Sequence, residues 1–178
     1  MKLSKLLAGL AVAVSLVSGT ASAAVQDLTT WSTFTGINGT VSASPSSATM
    51  SGTSGISKNF NLGANNTFSF DWFFQANDYM PFNDWSAVFV DSNLSLTLAN
   101  VASVGNLGNS GWQTFSTLLT NPFNGNITFS VSNALDNALN STLIVSNVAI
   151  PEPGMLLLMA TALGLVGLAS RRKSKAAV

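Results

Sequence analysis

Thr67-Phe68-Ser69-Phe70-Asp71-Trp72-Phe73-Phe74 decides the fold class. In an extended chain Phe68, Phe70, Trp72 and Phe74 fall on one side and Thr67, Ser69 and Asp71 on the other. That alternation suits a half-buried strand and gives a helix no continuous apolar face. Moving outward, Trp85, Ala87 and Phe89 alternate with Ser86, Val88 and Val90, so both faces are apolar and this strand is expected in the middle of a sheet. Leu94, Leu96 and Leu98 alternate with Ser95 and Thr97, and Ile127, Phe129 and Val131 with Thr128, Ser130 and Ser132. Trp112 to Leu119 and Thr142 to Ala149 read as further strands. Between them lie Gly63-Ala64-Asn65-Asn66, Pro81-Phe82-Asn83, Gly105 to Gly111, Asn121-Pro122 and Asn124-Gly125-Asn126, rich in residues that tolerate tight turns. The expectation is an all-β, antiparallel, jelly-roll-like β-sandwich over residues 24–150. Asp27 to Lys58 is less patterned, with Val41-Ser42-Ala43 and Ala48-Thr49-Met50 as short edge strands.

Both ends differ from this middle. Lys2 and Lys5 precede an apolar stretch from Leu6 to Val17, and Ala21-Ser22-Ala23 supplies small residues at the −3 and −1 positions of a cleavage site. Residues 1–23 therefore read as a signal peptide cut between Ala23 and Ala24 by signal peptidase. At the other end Pro151-Glu152-Pro153 leads into an uncharged, Leu/Ala/Gly-rich run over residues 154–170, then Arg171-Arg172-Lys173-Ser174-Lys175. About 17 apolar residues is the lower limit for a spanning helix, and the basic end is expected on the cytoplasmic side. The two prolines fix φ and lack N–H groups, so the segment before the span stays extended.

Pro151, Glu152 and Pro153, the apolar span, and Arg171, Arg172 and Lys173 together resemble the PEP-CTERM protein-sorting signal of Gram-negative envelope proteins. The resemblance covers residues 151–175, and Ile150 stands where the family commonly has Val. It implies an inner-membrane precursor, processing by an exosortase (a membrane-embedded, cysteine transpeptidase-like enzyme), and delivery to the cell surface or an exopolysaccharide matrix. The Leu-Pro-x-Thr-Gly signal of Gram-positive sortases is missing, and the basic end is atypical of a GPI signal.

Removing the ends exposes the charge of the middle. Lys58 is the one basic residue between Ala24 and Ile150, against Asp27, Asp71, Asp78, Asp84, Asp91 and Asp136, so the domain carries 1 − 6 = −5 although the whole chain sums to zero. A nucleic-acid partner, which needs a basic surface, is not expected. The chain has neither Cys nor His, which excludes disulfides, thiol nucleophiles, His-dependent triads and zinc sites built on those ligands.

The densest polar oxygens lie in and beside Asn77-Asp78-Tyr79-Met80-Pro81-Phe82-Asn83-Asp84. Clustered carboxylates either raise their pKa values or collect a cation, and an oxygen-only set favours Ca²⁺. Asp78, Asp84 and Asp136 are the candidate Ca²⁺ ligands; the bland alternative is that these side chains cap backbone N–H groups in a loop. Trp112 follows a Gly/Asn-rich loop and is the candidate carbohydrate contact, whereas Trp72 and Trp85 have the phase of core residues. Phe70 to Phe74 with Asp78-Tyr79 and Asn83-Asp84, and Ser132-Asn133 with Asp136, Ser141 and Asn147-Val148, resemble bacterial surface β-domains of the choice-of-anchor type. No catalytic residues are expected. The leading expectation is a non-enzymatic exported surface or matrix protein, and the alternative is a carbohydrate-binding module with a structural Ca²⁺ site.

Overall fold

The structure is a computed structural model that describes residues 23–90 and 94–151. Its strands are β1 (Ala23–Val25), β2 (Ser32–Thr35), β3 (Thr40–Ala43), β4 (Ser47–Ser51), β5 (Ser54–Leu62), β6 (Asn66–Gln75), β7 (Trp85–Val90), β8 (Leu94–Asn100), β9 (Gln113–Leu119), β10 (Phe123–Ser132) and β11 (Thr142–Pro151). A single helical turn, α1 (Val101–Val104), follows β8. Most of the expected signal peptide (1–22, with Ala21), Asp91, and Glu152, Pro153, Arg171, Arg172 and Lys173 with the apolar run lie outside the described residues. Among the described residues no helix is long and apolar enough to cross a membrane.

One sheet runs β3-β4-β11-β6-β9, with β1 also on β11, and the other runs β2-β5-β10-β7-β8. From β4 onward the strands deal out between the sheets in the order of a jelly roll, and every pairing is antiparallel. The alternation in β6 works as expected: Phe68, Phe70 and Phe74 are fully buried and Trp72 packs at the margin of the core. Phe129 of β10 meets Phe70 edge-on across the sandwich, with ring centres 4.8 Å apart. Met50, Ile56, Val88, Ile127, Leu143 and Val145 complete a continuous interior. Trp31, held by a 3-10 turn at Leu28–Thr30, plugs one margin of the core against Phe60 and Phe129.

Three expectations need correction. Trp85 is not core: Ser86, Val88 and Val90 are the buried phase, and half-buried Trp85 packs on Phe89 outside it. Val41 to Ala43 forms an edge strand as expected, but β4 lies between β3 and β11 and is internal. The unpatterned region holds the nine-residue β5, a central strand whose partner on one side is β10.

The first and last strands of the sandwich meet. Ala23, the last expected residue of the leader, is in β1, and Pro151, the first of Pro-Glu-Pro, is in β11. The register sets Ala23 opposite Pro151, Ala24 opposite Ile150 and Val25 opposite Ala149. Gln26 N–H donates to Val148 O at 2.7 Å and continues this ladder inward.

Candidate functional site

Three places carry the residues singled out above. The first is the outgoing end of β11. Ten residues at about 3.3 Å each carry this strand across the sandwich, so Thr142 and Pro151 mark opposite ends of the domain. β1 flanks Ala149 to Pro151, and on the other side Ala149 is paired with Ser69. The sheet therefore delivers the chain into the Pro-Glu-Pro segment without an intervening linker.

The second is at the other end, where Asp78 and Asp84 are both buried, at 1% and 0% exposure. Asp84 is a brace. Its Oδ1 accepts Ala134 N–H at 2.8 Å, and its Oδ2 accepts Ser141 Oγ–H at 2.8 Å and Ser141 N–H at 3.3 Å. One side chain thus ties both ends of the loop between β10 and β11 to the start of β7. Burial pushes the Asp84 carboxyl above its ordinary value, against the bonds from Ser141 and Ala134, and nearby Asp78 pushes the same way. Asn83 accepts Ala102 N–H at 2.9 Å and fixes α1, whose own cap is Asn100 with Ser103. Asp78 Oδ1 accepts Tyr79 N–H at 2.8 Å, whereas Asp78 Oδ2 and Asn133 Oδ1 are buried without a partner.

The expected three-carboxylate Ca²⁺ site is not assembled. Asp136 caps its own turn, accepting Ala138 N–H at 3.1 Å, and among the described residues no three acidic side chains converge on one point. What the fold brings together is Asp78 and Asp84, with Ser141 bonded to Asp84.

The third place is the outer face of β9-β6-β11. Trp112 is 58% exposed and leans on Phe73 with ring centres 5.7 Å apart. Beside it Asp71, Gln113, Thr114, Ser146 and Asn147 line an open groove of about 400 Å³. Asp71 accepts Thr114 Oγ–H at 2.6 Å and Asn147 Nδ2–H at 2.8 Å. Those bonds, from Asn147 first and Thr114 second, hold its carboxyl below the ordinary value, so it stays an anion with lone pairs turned to solvent. Asn147 adopts φ 51° where the β11–β6 register slips, which sets its amide beside Asp71. The exposure of Trp112 was legible from its loop; the pairing of Asp71 with Asn147, far apart in sequence, was not.

The ends of this sandwich define its class: an all-β domain whose last strand enters a C-terminal sorting segment. That segment is a PEP-CTERM protein-sorting motif, whose family model matches residues 149–173. The match begins two residues before Pro151, so its first three residues belong to β11. No curated protein matches the chain. Among solved structures it is similar to the N-terminal cellulose-binding domain of Cellulomonas fimi β-1,4-glucanase C, at 14% identity and TM-score 0.39 over 70% of this chain and 90% of that one. It is also similar to TmCBM61 in complex with β-1,4-galactotriose, at 13% identity and TM-score 0.41 over 70% of this chain and 89% of that one. Likeness at this level carries no argument about ligand.

Proposed function

We propose that this chain is a non-enzymatic exported protein that an exosortase sorts to the cell surface or exopolysaccharide matrix. The carrying observation is that the sorting motif begins inside the last strand, so the sandwich stands directly at the point of processing. Signal peptidase cuts at Ala23–Ala24, the apolar run holds the precursor in the inner membrane, and Arg171, Arg172 and Lys173 stop it on the cytoplasmic side. Outside the membrane, the acidic domain with few charges and many Ser, Thr and Asn is suited to a hydrated matrix. The test is cell fractionation of the triple variant described in the Discussion.

A second reading, carbohydrate binding, is favoured by one arrangement. An exposed indole beside a fixed carboxylate and amides offers a face for a pyranose ring and acceptors and donors for its hydroxyls. Trp112→Ala should lower retention on the producing strain's own exopolysaccharide at least tenfold in affinity electrophoresis. It should change stability by less than about 0.5 kcal/mol, because most of the side chain is already in water. Equal retention of wild type and variant counts against this reading.

Within that reading Ca²⁺ would sit at Asp78 and Asp84, where the unpartnered Asp78 Oδ2 would gain a cation. Millimolar Ca²⁺ is then expected to raise the melting temperature of the processed protein by several degrees, and Asp78→Asn to abolish the rise. An unchanged melting curve with Ca²⁺ or chelator leaves Asp84 as a brace alone.

A further inference from the structure

At the end of the sandwich opposite Pro151, residues 36–39, 76–84, 105–112 and 133–141 gather as loops. Ile37, Tyr79, Met80, Leu107, Leu135 and Leu139 on these loops are all exposed, and they are most of the large apolar side chains left in water among the described residues. Single exposed leucines are ordinary. These six together leave roughly 700 Å² in water, above the ~300–600 Å² of the largest apolar patch on a typical monomer.

Two of the six also strain the backbone. Leu107 has φ 56° and Leu135 φ 73°, in the left-handed region that a bulky side chain disfavours and Gly or Asn tolerates. Neither gains burial in exchange, at 61% and 82% exposure. A turn that needs only a positive φ is met by Asn, as Asn38 does at φ 55° in the neighbouring loop. Folding alone therefore does not call for leucine at either position, whereas contact with something outside the sandwich does. The loops are also braced on one another. Asn38 Nδ2–H donates to Asn137 O at 2.8 Å, Asn77 Nδ2–H to Asn140 O at 2.8 Å, and Leu107 N–H to Asp78 O at 2.9 Å. The apolar tips are thus held in place before any partner arrives, which lowers the ordering cost of docking.

We infer that this pole docks on the same pole of a second copy of the chain. Asp78 and Asp84 are buried, so Asp136 is the one charge these loops offer, and they hold no cation to draw an anionic lipid or an acidic polymer. An apolar face of this kind is complementary to itself, and a two-fold axis through the pole sets each loop against its equivalent. Two such faces bury roughly 1,400 Å² together, within the ~1,200–2,000 Å² of a stable protein–protein interface. Pro151 leaves from the opposite end, so a pair sends its two C-termini apart and links two points of attachment. The pairing goes beyond the sorting reading and does not depend on it.

The test uses the full chain in its own host, where the absence of Cys from the sequence lets one introduced thiol report its neighbours. Ala138→Cys places the thiol among the tips, and Thr120→Cys, exposed just after β9, places it at the far end. A short bismaleimide should link Ala138→Cys chains into dimers and leave Thr120→Cys chains single. Adding Leu107→Asn with Leu135→Asn to Ala138→Cys should lower the dimer yield at least tenfold. Asn accepts the left-handed backbone, so this chain should melt no lower than its parent; leucines needed only for folding would lower it. Ile37→Ser, in a different loop, should weaken linking likewise and serves if the double variant misfolds. No dimer from Ala138→Cys overturns the proposal, as do equal linking through Thr120→Cys and linking that the apolar substitutions leave unchanged. Binding of the purified parent to phosphatidylcholine vesicles, without any dimer in solution, also overturns it and assigns the pole to a lipid surface.

Discussion

Replacing Pro151, Glu152 and Pro153 together by Ala is expected to cut the protein recovered outside the cell at least tenfold and leave it in the inner-membrane fraction. The physical reason is local. Two prolines fix φ and withhold N–H groups, so the chain leaving β11 is expected to stay extended. Alanine is the strongest helix former and lacks both constraints, so an extended segment is no longer enforced. Glu152, the only Glu in the chain, also loses its charge. The domain itself should be unharmed, because Pro151 sits in the sheet at a position without a backbone bond to β1. Secretion at the wild-type level would count heavily against exosortase processing.

The second large effect is at Asp84. Asp84→Ala strands three donors that now meet its carboxylate: Ala134 N–H, Ser141 N–H and the Ser141 hydroxyl. Buried donors left without partners cost about 1–3 kcal/mol each, partly offset by no longer burying a charge, so a net loss of about 3 kcal/mol is expected. That is a large share of the stability of a domain this size. Chemical denaturation of the processed protein measures it. The pH dependence has a definite sign. The folded state holds the Asp84 proton more tightly than the unfolded chain does, so between the ordinary value of 3.8 and its raised value the native protein binds more protons. Asp84 therefore makes stability fall as pH rises through that window. Asp71, pulled below 3.8, acts in a separate window: its contribution is present above 3.8 and is lost as pH falls through its lowered value. Asp84→Asn should remove the slope above 3.8 and keep the one below it. An unchanged slope above 3.8 in that variant would mean that another group carries it.

The long aromatic strands were legible because each buries one face fully, and Phe68, Phe70 and Phe74 leave no other phase. β5 was hidden by the same rule. Ile56, Phe60 and Leu62 share a phase and are buried, but Lys58 stands among them. Its ammonium lies 5.7 Å from the centre of the Phe60 ring and donates to Thr30 Oγ1 at 3.0 Å, so a charge occupies a core-phase position without being buried there. Gly55 breaks the pattern further. A Cβ there would stand 2.4 Å from Phe129 O, so close strand packing requires the smallest residue. β1 was hidden because its three residues have meaning only beside β11. Within the candidate sites, Asp84 was legible as a loop carboxylate. Its partners Ala134 and Ser141, some fifty residues on, were not, since only the jelly-roll order closes that distance. Asp136 looked like a third ligand by composition, but its nearest donor is in its own turn, and local bonds form at little entropic cost.

The central claim is that this sandwich works outside the cell after both its ends have been cut. The mass of the intact protein recovered from the cell exterior tests it most directly. The expected species begins at Ala24 and ends at or beside Pro151-Glu152-Pro153, without the apolar span and its basic end. Recovery of the whole 18.4 kDa chain, dissolved in the cytosol with both ends intact, would contradict it.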